Sequence, residues 1–183
     1  SERGTVARFD GNNDYIDLPD MKTNLATGFT FEALVKFDNS TGGWHDRVFE
    51  LGNGIGAQNI LLKREASTGR LTAQIFGGPN GSLNTIQTSA AVITGNTWQH
   101  IALVLETNGD AFIYVDGQIA GSGQVSLPTG VITRTNNYLG ASSWAGSHFD
   151  GNMDEVKFYN RALSRSQIAT TATNMMAYYI LDG

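Results

Sequence analysis

The stretch "VLETNGDAFIYVDGQIAGS", Val104 to Ser122, decides the fold class. It reads as an apolar run, an Asn-Gly-Asp turn, a second apolar run, an Asp-Gly turn and a third extended run. Asn-Gly and Asp-Gly supply the positive φ that tight hairpins require. With "WQHIA" ahead of it, Trp98 to Ser122 is predicted as a three-stranded antiparallel meander. The same period of two recurs upstream, where Phe29, Phe31, Ala33, Val35 and Phe37 alternate with Thr30, Glu32, Leu34 and Lys36. That alternation marks a strand with one face in a core. "QNILLK" and "RLTAQIF" are further apolar runs, set between the turn segments "NGIG", "STG" and "GGPNG". Only "NRALSRSQIA", Asn160 to Ala169, looks helical, with Ser164 as N-cap and Gln167 three residues on, as in a capping box. The expectation is an all-β, two-sheet antiparallel sandwich with one short helical turn near 163–168. "AYYILDG", Ala177 to Gly183, is expected to form a terminal strand after the connection "TTATN".

The 183 residues fit one domain, 1–183, large enough for a sizeable core. Gly is frequent at 22 against 3 Pro, so the turns rely on positive φ rather than on rigid kinks. Lys plus Arg number 12 against 17 Asp plus Glu, a net charge of −5, and the basic residues are scattered. A nucleic-acid partner would need a basic patch, so none is expected. With 0 Cys, a disulfide scaffold, thiolate metal sites and a Cys nucleophile are all excluded. No apolar run approaches the ~18 residues of a membrane span, so membrane insertion is not expected. The opening "SERGTVARF", without Met, reads as a module cut from a longer chain or as a processed one.

One octet occurs nearly twice, as "FDGNNDYI" at Phe9 to Ile16 and "FDGNMDEV" at Phe149 to Val156. Strict alternation puts Asp14 on the face of Ile16 and Leu18, and Asp154 on the face of Val156 and Phe158. Two inward carboxylates are costly unless paired, hydrogen-bonded or bound to a cation. Asp10, Asp14 and Asp154, with turn carbonyls nearby, would then form an oxygen-rich calcium site. The competing reading is ordinary turn chemistry, since Asp-Gly is a standard turn dipeptide and Asp bonds backbone amides. An EF-hand is rejected, because the twelfth position from Asp10 is Met21.

Taken in order, "ARFDGNNDYIDLPD", "FTFEALVKF", "WHDRVFELGNG", "TWQHIALVLE", "IYVDGQ" and "NNYLGASSWAGSHFDGNMDEVKFYNRALSRSQI" resemble a laminin-G-like, concanavalin A-like jelly-roll module of exported bacterial proteins. The resemblance implies two curved antiparallel sheets with the octets on neighbouring strands, and a structural Ca²⁺. Members commonly begin with a strand like "AYYxLDG"; here that motif ends the chain, either as a permuted first strand or as the start of a following module. Distant kinship to pentraxins implies that the loops after "DRVFELG" and "YLG" converge on a ligand. On this chain those loops carry Asn59 and Ser142, Ser143, Trp144 and His148, without acidic calcium ligands of the pentraxin kind.

Trp44, in "STGGWHDR" beside His45, and Trp144, in "ASSWAGSH", are loop tryptophans able to stack on a sugar face or to pack internally. Trp98 lies in a regular apolar stretch and reads as core. Trp44, His45, Asn59, Trp144 and His148 form the candidate ligand set. No Glu-x-Asp-x-(x)-Glu strand, zinc spacing or nucleophile elbow occurs, so a non-enzymatic role is expected. The expected function is a carbohydrate-binding module, outside the cell or at its surface, binding a polysaccharide or glycan and joined to other domains. The alternative is an adhesion or spacer module that makes protein contacts without sugar.

Overall fold

The computed structural model describes residues 6–39, 46–65, 67–77, 83–146 and 148–181, with side chains to 177. Among them the strands are β1 (Ala7–Asp10), β2 (Ile16–Asp17), β3 (Met21–Asn24), β4 (Phe29–Phe37) and β5 (Arg47–Gly52). Next come β6 (Ile60–Glu65), β7 (Arg70–Phe76), β8 (Leu83–Gln87), β9 (Gln99–Leu105) and β10 (Asp110–Val115). The series ends with β11 (Gln118–Gln124), β12 (Val131–Arg134), β13 (Asn136–Leu139), β14 (Asp150–Tyr159) and the helix α1 (Arg165–Leu181). Two six-stranded antiparallel sheets have the orders β1-β14-β4-β9-β10-β11 and β2-β13-β5-β6-β7-β8, and β12 pairs with β3 alongside. The all-β sandwich is therefore present. Its predicted meander is β9-β10-β11.

The alternating face of β4 lies in the core, where Phe29, Phe31, Ala33, Val35 and Phe37 are all buried. Phe31 stacks on Phe49 of the opposite sheet, with centroids 4.2 Å apart, and Phe158 packs against both rings. Each side chain of this size contributes on the order of 2–3 kcal/mol through burial. The opposite face of the first sheet is covered by α1, whose Ile168 packs on Ala102, Val104, Tyr114 and Leu163.

Helix α1 corrects two expectations. Its start is as read: Ser164 N donates to Gln167 Oε1 (2.9 Å) and Gln167 N to Ser164 Oγ (3.3 Å), a reciprocal capping box. It does not stop after one turn, and the expected terminal strand over 177–183 is helical to Leu181. The physical reason is a docking stripe, because Ile168, Ala172 and Met175 recur at helical spacing and are buried. Gly117, at the β10–β11 turn, admits the helix so closely that a Cβ there would lie 3.1 Å from Ala169 Cα and 3.2 Å from Ala172 Cβ.

The two octets do meet. β1 runs antiparallel to β14 with Phe9 opposite Gly151 and Asp10 opposite Asp150, and Phe9 and Phe149 pack edge to face at 5.6 Å. Gly151, at φ 143°, has Lys36 O only 2.1 Å from where a Cβ would stand, so the second Asp-Gly serves strand packing rather than a turn.

Candidate functional site

The strand β5 builds the site through a bulge. Arg47 pairs with Lys63 and Phe49 with Leu62, so Val48 is the extra residue. Val48 and Phe49 both turn into the core. Arg47 and Glu50, three residues apart, consequently share the outer face of the second sheet. Phe76 of β7 alternates with the core residue Ile75 and belongs to the same face.

The segment after β13, residues 141–146, is tied onto that face by these two charged residues. Glu50, fully buried, accepts hydrogen bonds at Oε1 from Ser143 Oγ (2.7 Å) and Asn59 Nδ2 (2.9 Å), and Ser143 N approaches both carboxylate oxygens at 3.3 Å. Asn59 Nδ2 also donates to Gly54 O (2.9 Å), which holds the 53–58 turn to the same anchor. Arg47 Nε donates to Ser142 Oγ (3.1 Å), while its guanidinium sits 5.6 Å from the centre of the Trp144 ring. Trp144 also packs on Phe76 at 5.6 Å and 35°. Burial pushes the Glu50 carboxyl above its ordinary value, against the pull of Ser143 and the Arg47 charge. Burial likewise depresses Arg47.

The structure brings Asn59, Ser142, Ser143 and Trp144 together, with Glu50 as the acceptor shared by Asn59 and Ser143. His148 stands half-buried at the end of the same loop. Trp44 and His45 lie outside the described residues. Trp98 is half-buried just before β9, with Lys36 Nζ 5.9 Å from its ring centre. Trp144 presents a half-buried indole packed against Phe76 and Arg47, close to the hydroxyls of Ser142 and Ser143. Leu83, opposite Phe76 in β8, is half exposed. Sequence reasoning missed Arg47, Glu50 and Phe76. The bulge that aligns the first two is centred on Val, a residue type carrying no bulge signal.

The carboxylate trio Asp10, Asp14 and Asp154 is not assembled, which corrects the expected ligand set. Asp10 Oδ1 accepts from Asn12 N (2.9 Å), and Asp14 Oδ2, exposed, accepts from Asp10 N (3.1 Å). Asp154 sits four residues past Asp150, about 13 Å along the strand, and accepts from Glu155 N at 2.7 Å. It also faces away from the core. A second bulge lies between Asp154 and Lys157, with Glu155 at φ 50°, so Met153, Val156 and Phe158 all pack inward. Among the described residues no three Asp, Glu or His side chains gather in a metal-binding arrangement.

A further buried group lies under α1: Tyr159 Oη donates to Glu32 Oε1 (2.8 Å), and His100 Nε2 stands 3.4 Å from Glu32 Oε2. Burial and the Glu32 contact push Tyr159 up to about 12.

A family model described as the concanavalin A-like lectin/glucanases superfamily matches residues 10–169. No match is found among curated proteins. Among solved structures, the fold is similar to a native heptameric SAP-like pentraxin from Limulus polyphemus. The TM-score is 0.63 at 16% identity, covering 90% of this chain and 80% of the pentraxin. It is also similar to the CBM40 of a Ruminococcus gnavus IT-sialidase, solved with α2,3-sialyllactose bound. There the TM-score is 0.67 at 14% identity, covering 87% and 96% of the two chains. The third is a K499G mutant of NanB sialidase from Streptococcus pneumoniae, with a TM-score of 0.70 at 18% identity. This chain is 91% covered in that match but spans only 27% of the sialidase.

Proposed function

The chain belongs to the concanavalin A-like lectin/glucanases superfamily, and from that premise we propose that it is a non-catalytic carbohydrate-binding module. Its ligand sits on the outer face of the second sheet, at the Trp144 loop. The observation that carries this reading is the anchored indole: Trp144 held on Phe76 and Arg47, beside Ser142 and Ser143, over a buried Glu50. An aromatic face stacks on the apolar side of a pyranose, and flanking hydroxyls take its polar edge. Glu50 lies sealed beneath the loop, so it positions Ser143 and Asn59 rather than attacking a glycosidic bond. The sialyllactose-bound CBM40, with its comparable fold, supports the class of ligand. A glycan array and affinity electrophoresis with wild type and Trp144→Ala test the proposal. Retention by wild type that the variant loses, with its melting curve intact, is expected; equal retention by both would place any sugar elsewhere.

The module's place is proposed to be outside the cell or at its surface, joined to other domains. No helix of the described residues is long and apolar enough to cross a membrane. Under the alternative, an adhesion or spacer module making protein contacts without sugar, glycan arrays would stay blank while cell or protein adhesion persists. We extend the proposal to a calcium ion at the paired octets, held by Asp10 and Asp150 in place of the expected trio. Asp10 stands opposite Asp150 across the β1–β14 pair; burial raises the Asp150 carboxyl, with Asp38 and Asp10 raising it further and Arg64 and Arg8 pulling it back down. EDTA should lower the melting temperature of wild type and leave Asp150→Asn unmoved; equal effects on both would dismiss this ion.

A further inference from the structure

Arg47 is 95% buried and incompletely used. Its Nε bonds Ser142 and its plane meets the Trp144 ring, but Nη1 is buried with no hydrogen-bond partner. The two carboxylates whose charge it feels are Glu50 and Glu65. Glu50 is occupied by Ser143 and Asn59, and Glu65 pairs with Lys63 Nζ at 2.9 Å. A guanidinium withdrawn from water with a donor unspent is a costly arrangement that an incoming acceptor would complete. On the other side of Glu50, Asn59 Oδ1 is likewise buried without a donor. The site thus holds an unspent donor on Arg47, the complement of a carboxylate. Arg64 and Arg134 also carry a buried unpartnered nitrogen, but Arg64 is ion-paired with Asp46, and the other nitrogens of Arg134 bind Gln58 O and Thr23 Oγ1.

The geometry points to a sugar acid as the ligand of this site, its carboxylate taken by Arg47 Nη1 and its ring by Trp144. This inference rests on the carbohydrate-binding reading and specifies its ligand class. The Arg47 guanidinium lies 5.6 Å from the centre of the Trp144 ring, so a carboxylate arriving at Nη1 changes the surroundings of the indole and Trp144 fluorescence reports the event.

The test compares matched pairs on the folded wild-type protein: the methyl glycosides of galacturonate, glucuronate and N-acetylneuraminate, each against its methyl ester. At least one acid should bind about tenfold or more tightly than its ester, as a charge-assisted contact to a guanidinium allows. The fluorescence change should follow the acid alone and vanish in Trp144→Phe. In Arg47→Gln the preference should shrink to about twofold or less as that contact is removed. Acids and esters binding equally to wild type would overturn the inference without needing any variant, and so would a preference that survives Arg47→Gln. Neutral sugars binding at the Trp144 loop with no acid preference would leave the carbohydrate reading standing and sink this one. No binding by any sugar would remove both.

Discussion

Replacing Glu50 by Ala removes the post on which two loops hang. The carboxylate accepts from Ser143 Oγ at 2.7 Å and Asn59 Nδ2 at 2.9 Å, with the Ser143 amide at 3.3 Å. Hydrogen bonds to a charged group contribute about 1.5–3 kcal/mol each, and orphaned buried donors cost about 1–3 kcal/mol. Two offsets reduce the sum. Asn59 Nδ2 keeps Gly54 O as a partner, and the variant escapes the cost of burying a carboxylate, visible in the raised Glu50 titration. The expected net loss is about 2–3 kcal/mol, which at this chain length lowers the melting temperature by roughly 4–12 °C. Glu50→Gln, which keeps one acceptor oxygen, should lose about half as much. Urea unfolding followed by circular dichroism supplies the free energies. A double-mutant cycle with Asn59→Ala isolates the shared bond, with a coupling of about 1 kcal/mol or more expected. A Glu50→Ala protein within about 0.5 kcal/mol of wild type, with no coupling to Asn59, would refute the account of how the loop is held.

Helix docking predicts that Ile168→Ala costs about 2–4 kcal/mol in urea unfolding, since the side chain is fully buried against Ala102, Val104, Tyr114 and Leu163. Glu155 occupies the positive-φ position of the β14 bulge, so Glu155→Gly should be neutral or stabilising by up to about 1 kcal/mol, whereas Gly within a regular strand destabilises. Tyr159 should ionise near 12 in an ultraviolet titration, a late component absent from Tyr159→Phe. The sign follows: above pH 10 the unfolded chain ionises this phenol while the folded one holds its proton, so stability falls between pH 10 and 12.

The sheets were legible because period-two alternation and Asn-Gly or Asp-Gly turns act locally, as in β4 and the β9-β10-β11 meander. The octet pairing was legible only through family likeness, since nothing local sets Asp10 opposite Asp150. Two bulges were invisible, because Val48 and Glu155 carry no signature of an extra residue. Both decided which side chains share a face: one joins Arg47 to Glu50, and the other turns Asp154 away from the octet turn. The length of α1 was missed because "MMAYYIL" suits strand or helix alike, and its docking stripe on Ala102 and Val104 is tertiary information.

Sugar is proposed to meet this protein at the Trp144 loop. Backbone amide chemical shifts, followed by two-dimensional NMR during titration with a glycan that the array identifies, locate the contact directly. The account predicts shifts concentrated at Ser142, Ser143, Trp144, Phe76 and Asn59, with the indole N–H among the largest. Shifts confined to the α1 face or to the octet turns, with the Trp144 loop unmoved, would contradict it.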